Sequence, residues 1–130
     1  MKKLFVILIA IVFTACSSDV DLNIAKTKTS ELLTLLQNQQ YDKTEAYYAD
    51  LFNETESIEA RTAKYKKIEE TSGKIKSFEF LDSTPKNMDE RNVLVLRYKV
   101  ICENLTLTHT FIVGMEEGDC KVLNHEMTNL

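Results

Sequence analysis

The 130-residue chain has no tryptophan, one proline, three glycines and two histidines. A loop that cradles phosphate needs several positions free of a Cβ. Gly73, Gly114 and Gly118 are accounted for instead by a helix cap, a strand and a turn. A nucleophile elbow, a paired-cysteine metal motif and a His-Glu-x-x-His helix are also missing. The apolar run Leu4 to Ala15 reaches only about 18 Å as a helix, short of the roughly 30 Å hydrocarbon core. Nor is there an excess of positive charge, with 16 basic against 20 acidic side chains. A chain of that sign has no general pull toward nucleic acid or anionic lipid. The cluster Lys64, Lys66 and Lys67 is followed by Glu69 and Glu70 and reads as a solvated helix face.

What is present begins with a positive Met1-Lys2-Lys3, the apolar run, and an abrupt polar border at Cys16-Ser17-Ser18-Asp19. This is the pattern of a secretory signal. Phe13-Thr14-Ala15-Cys16 resembles a bacterial lipobox, although Phe13 stands where that motif usually has leucine. The resemblance implies that the Cys16 thiol receives a diacylglyceryl group and that the chain is cut before it. An ordinary cleaved secretory peptide is the alternative. Each buried methylene contributes about 0.8 kcal/mol, so two or more acyl chains hold a protein at a membrane. By likeness to enterobacterial sorting, Ser17 directs it to the outer membrane, facing the periplasm or the cell surface. The expected organisation is a signal peptide over 1–15, a lipidated cysteine and polar tether over 16–28, and one domain over 29–130. Losing Lys2 and Lys3 from 16 basic residues against 20 acidic leaves a net charge of −6.

Leu32, Leu33, Leu35 and Leu36 recur at helical spacing until Gln37-Asn38-Gln39-Gln40. Asp42 and Glu45 form a capping-box pattern before a short helix carrying Tyr47, Tyr48, Leu51 and Phe52. A third helix is expected over 57–71, with Ile58, Thr62, Tyr65 and Ile68 inward and Gly73 as its stop. The period then changes to two. Strands are expected over 74–81, 93–103, 105–115 and 119–128, with 82–92, which holds Pro85, as a loop.

A two-residue turn at Glu103-Asn104 pairs Val100 with Leu107, Tyr98 with His109, Leu96 with Phe111 and Leu94 with Val113. This sorts one apolar face from one polar face, and a slip of one residue would destroy the sorting. A three-residue turn at Glu116-Glu117-Gly118 would set Phe111 against Leu123 and His109 against His125. In that register Cys120 faces outward, about 30 Å from Cys102, too far for a disulfide. Val95, Ile112 and Val122 then align as an apolar row on the outer face. An exposed row of that kind marks a contact surface.

Helices followed by a four-stranded antiparallel sheet resemble the cystatin-like, nuclear transport factor 2-like superfamily. The resemblance rests on Gln40-Tyr41-Asp42-Lys43, Gly73-Lys74-Ile75-Lys76-Ser77 and Gly118-Asp119-Cys120-Lys121-Val122. In the last of these, Cys120 stands where the superfamily commonly has tryptophan. It implies an α+β fold, with two or three N-terminal helices packed on a curved four-stranded sheet, and a cavity under the helices. Superfamily enzymes place acid–base residues in that cavity, and the candidates here are Tyr98, His109 and His125. The two histidines also invite zinc, but a third ligand is missing because Glu126 points to the other face.

The expectation is a lipid-anchored envelope protein that binds a small molecule or a protein partner, through the cavity or the outer face. It carries no catalytic residue, cofactor or metal. Its partners are the membrane, through acyl chains on Cys16, and a second copy or another envelope protein, not nucleic acid. The alternatives are a cavity enzyme of isomerase or dehydratase kind using His109 or His125, and an immunity or inhibitor lipoprotein.

Overall fold

In the computed structural model, residues 19–129 are described; the signal segment and Cys16 lie outside them. Helix α1 (Leu22–Gln37) starts under an Asp21 cap whose carboxylate accepts from the Ile24 N–H. Residues 22–28, expected as tether, are thus its first two turns. It buries Ala25, Thr29, Leu32, Leu33 and Leu36 along one stripe. Two single 3₁₀ turns, Tyr41–Lys43 and Glu45–Tyr47, replace the expected start of a second helix. That helix, α2, is confined to Asp50–Thr55. The Asp42–Glu45 capping box does not form, since no side chain caps either 3₁₀ turn.

Helix α3 (Ile58–Ser72) is capped by Ser57, whose hydroxyl accepts from the Ala60 N–H. Its buried face runs through Arg61, Tyr65 and Ser72, one residue round from the expected stripe. Gly73 ends it at φ 77°, where a Cβ would meet the Glu103 Cβ at 2.7 Å. Only glycine tolerates both constraints.

Strands β1 (Ile75–Met88), β2 (Arg91–Cys102), β3 (Thr106–Glu116) and β4 (Asp119–Asn129) form one antiparallel sheet in sequence order. β1 runs seven residues beyond its expected end and includes Pro85, opposite Leu94. Proline is compatible with an edge strand, where a missing N–H need not break a ladder. The β2–β3 register agrees with the reading of the sequence, from Leu94–Val113 to Val100–Leu107.

The β3–β4 register does not. The turn is the two-residue Glu117-Gly118, with φ of 50° and 79°, and Leu123 is an extra residue in β4 between Val122 and Asn124. Together they shift the pairing, so that Phe111 opposes His125 and His109 opposes Met127. Cys120 and Val122 therefore belong to the core, each almost wholly buried, and not to the outer face. The expected row of Val95, Ile112 and Val122 loses its third member. Val95 and Ile112 do pair, half-buried, beside the Arg97–Asp82 ion pair.

The core lies between α1 and the sheet. Leu32, Leu33, Leu96, Val100, Phe111 and Val113 are fully buried there, each worth about 1.5–3 kcal/mol in removed apolar surface. Cys102 pairs across the β2–β3 turn with Leu105, whereas Cys120 opposes Met115. Ten residues along β3 separate the two thiols by about 33 Å. Alkylation of the folded protein under oxidising conditions is expected to find both thiols free by mass spectrometry. A Cys102–Cys120 bond would overturn this strand arrangement.

Candidate functional site

The 3₁₀ turns bring Tyr48 and Ala49 alongside β4. Tyr48 forms a parallel bridge with Val122, and the Ala49 N–H donates to the Val122 carbonyl at 2.9 Å. This contact covers part of β4 and turns the Tyr48 ring into the core, 1% exposed. α3 supplies Tyr65 from the same side, while β3 and β4 supply His109 and His125 from the sheet.

His109 and His125 are diagonal neighbours across β3 and β4, within reach of each other because opposite residues are only about 5 Å apart. His109 Nδ1 lies 2.9 Å from His125 Nε2. His125 Nδ1 lies 2.9 Å from the Tyr48 hydroxyl, which in turn contacts the Tyr65 hydroxyl. The result is an unbroken buried chain, His109–His125–Tyr48–Tyr65.

Every member is held neutral. Burial pushes the Tyr65 hydroxyl up to about 12 and the Tyr48 hydroxyl well above its ordinary value. Burial lowers the His109 imidazole to about 3. It also drives His125 well below 6.5, helped by His109, Lys64 and Arg61. A chain of neutral donors and acceptors can be polarised either way. If His125 donates to His109 Nδ1, Nε2 of His109 carries its proton. If His109 donates to His125, Nε2 presents a lone pair. Either arrangement satisfies the nitrogens that face one another.

Behind the chain lies Arg61, 0% exposed. Its guanidinium carbon is 4.0 Å from the centre of the Tyr48 ring and 4.8 Å from that of Phe52. Nε donates to Glu56 Oε1 at 3.3 Å and Nη2 donates to Asn53 Oδ1 at 3.0 Å. These contacts fix the Tyr48 ring, and through it the orientation of His125. Arg61 Nη1 is the one fully buried side-chain nitrogen or oxygen without a partner among the described residues.

On the opposite side His109 lines a pocket between α3, the end of α1 and the sheet. It is a small cavity of about 30 Å³, with Leu36, Ile68, Ile75, Leu107 and Met127 among its walls. Glu69 lines it too, its carboxylate accepting from the Tyr41 hydroxyl and the Gln39 amide.

The structure thus joins two of the three expected pocket residues and separates the third. The Tyr98 hydroxyl bonds to Thr29 Oγ1 of α1 at 2.6 Å, while its ring packs edge-on against Phe78, Phe80 and Phe111. It is a core tyrosine that anchors α1. Among the described residues no group of three His, Cys, Asp or Glu forms a metal-ligand set. The facing nitrogens of the histidine pair bond to each other and leave no gap for an ion between them. Tyr48, Tyr65 and Arg61 escaped the sequence reading as site members. The signal that could have found them is the spacing Arg61, Tyr65, Ile68, Ser72, at four, three and four, in place of Ile58, Thr62, Tyr65 and Ile68.

Chemically, His109 is an acceptor or donor of a hydrogen bond and a weak base. An imidazole whose conjugate acid has a pKa of about 3 has little driving force for taking a proton from carbon.

No protein-family model matches the sequence, and no curated protein matches it. In three dimensions the chain is similar to the crystal structure of an NTF2-like protein from Cytophaga hutchinsonii ATCC 33406. The TM-score is 0.56 and the identity 14%, over 85% of this chain and 100% of the other. At that identity the likeness speaks for architecture and not for activity. Helices on a four-stranded antiparallel sheet, with this neighbour, establish that the chain has an NTF2-like fold.

Proposed function

We propose that this protein is a binding protein of the bacterial envelope, held at a membrane by acyl chains on Cys16, with the pocket that ends at His109 as its binding site. The observation that carries the binding reading is the pocket itself. Most of the space under the helices is filled by Leu32, Leu33, Leu96 and Phe111. What remains admits the tip of a small molecule and has the His109 imidazole in its lining. The same features weigh against the isomerase or dehydratase reading, since Tyr98 is engaged elsewhere and His109 is a weak base. The anchor rests on the lipobox-like Phe13-Thr14-Ala15-Cys16 and its polar border.

Two measurements test this reading. Cys16→Ser is expected to move the chain from the membrane fraction to the soluble one. A Cys16 without acyl mass in the wild-type protein would remove the anchor. Native mass spectrometry of detergent-extracted wild-type protein is expected to show a retained small-molecule mass that is lost in Met127→Trp, which fills the pocket. Absence of any such mass from the wild-type protein would count against binding.

A further inference from the structure

His109 is only 2% exposed, and its Nδ1 is taken by His125. Among the described residues its Nε2 has no hydrogen-bond partner. His109 lines the pocket, and Nε2 is the ring nitrogen that His125 leaves free for it. A buried polar atom left open toward a cavity is completed by whatever enters that cavity.

The cavity wall says what can enter. Ile68, Leu107 and Met127 line the pocket and also an adjoining open groove that carries the exposed Leu105. These three apolar side chains thus stand between the surface groove and the pocket that His109 lines. That pocket has room for two or three water-sized groups, from about 30 Å³.

The charge pattern says what the head can be. Glu69 is half-buried with its oxygens accepting from Tyr41 and Gln39, and Lys74 is exposed. Arg61 lies behind Tyr48, not at the pocket. Of the two charged side chains in the lining, then, Glu69 is already engaged and Lys74 is exposed, so a charged head buried at His109 would have no dedicated partner, and burying an unpaired charge is costly. A neutral head meets a nitrogen whose polarity the chain behind it can reverse, so hydroxyls and carbonyls are both served.

We propose that the pocket binds a small neutral amphiphile, with an unbranched alkyl chain along Ile68, Leu107 and Met127 and an uncharged hydroxyl or amide head hydrogen-bonded to His109 Nε2. This rests on the binding reading above and narrows it to a ligand class.

The chain has two histidines, so long-range proton–nitrogen NMR spectra of the Cys16→Ser protein without detergent report on His109 and His125 directly. 1-Hexanol and hexanamide are expected to shift the His109 nitrogens saturably. Hexanoate and hexylammonium, with the same chain and a charged head, are expected to bind at least about tenfold more weakly. His109→Phe should abolish hexanol binding. Met127→Trp should abolish it while leaving both histidine signals in place, which shows that the fold survives. Neutral probes that leave His109 unmoved, or charged probes that bind as well, would overturn the proposal. An unacylated Cys16 in a protein that binds hexanol removes the anchor and keeps this site. An acylated protein that retains a charged ligand keeps the binding reading and removes this one.

Discussion

Lowering the pH from 7 to 5 is expected to cost the folded protein about 2 kcal/mol of stability through His109, with His125 adding to the loss. In the unfolded chain both titrate near 6.5. In the fold, burial keeps His109 neutral down to about 3 and holds His125 well below its ordinary value. The groups that face them are the neutral hydroxyls of Tyr48 and Tyr65, with Arg61 and Lys64 adding positive charge behind His125. Below about pH 6.5 the unfolded state thus binds protons that the folded state does not, at His109 down to about pH 3 and at His125 over the upper part of that window at least. Stability is complete above that window and falls as pH drops through it, by about 1.4 kcal/mol per pH unit for each histidine. Most carboxylates titrate below 5. Asp82 and Asp119 titrate lower still: the Arg97 hydrogen bond lowers Asp82, while at Asp119 attraction to Lys28 and Lys121 and the Cys120 N–H outweigh burial. The pH 5–7 interval therefore isolates the pair. Urea midpoints at pH 7, 6 and 5 measure the effect, and His109→Gln/His125→Gln should flatten the slope. Midpoints that stay constant from pH 7 to 5 would mean that both rings take up protons in the fold as readily as in the unfolded chain, which the neutral chain forbids.

Arg61→Ala is expected to destabilise by about 3–5 kcal/mol, lowering Tm by roughly 10–20 °C. The substitution empties the space against the Tyr48 and Phe52 rings. It also strips Asn53 and Glu56 of their buried donor. Arg61→Met separates packing from charge. It keeps an unbranched stem against the rings and removes the unpartnered Nη1, while Glu56 is exposed enough to hydrate. A loss of only about 1–2 kcal/mol is expected, because apolar replacements of buried ions are often tolerated. Equal losses in the two variants, followed by thermal denaturation, would show that the charge and not the packing governs this corner. Through Tyr48 the effect reaches the site, so Arg61→Ala should also shift the His125 resonances under native conditions.

Much of this was legible before any coordinates. The alternation from Leu94 to Cys102 and from Leu105 to Val113 admits one register, because any other exposes half the apolar side chains. The β4 register is not legible in the sequence, because turn length and bulges are settled by small energies. Glu116-Glu117-Gly118 fits a two- or a three-residue turn, and nothing local marks Leu123 as the extra residue. The three-residue turn puts Val122 and Cys120 on the wrong face and sets His109 opposite His125 instead of diagonal to it. Pro85 reads as a break in the sequence because its strand's position at the sheet edge is not a local property.

The amino-acid order by itself determined the helix-then-sheet layout, the apolar face of β2 and β3, and the signal-like N-terminus with Cys16 at its border. Periodicity and short motifs are properties of neighbouring residues, so they can be read from neighbours. Only the tertiary structure decided that Tyr98 serves α1, and that Arg61, Tyr48, Tyr65, His125 and His109 meet in one buried chain ending at a pocket. Those five come from four separate stretches of sequence, and a hydrogen bond between them exists only once packing has excluded water from around it.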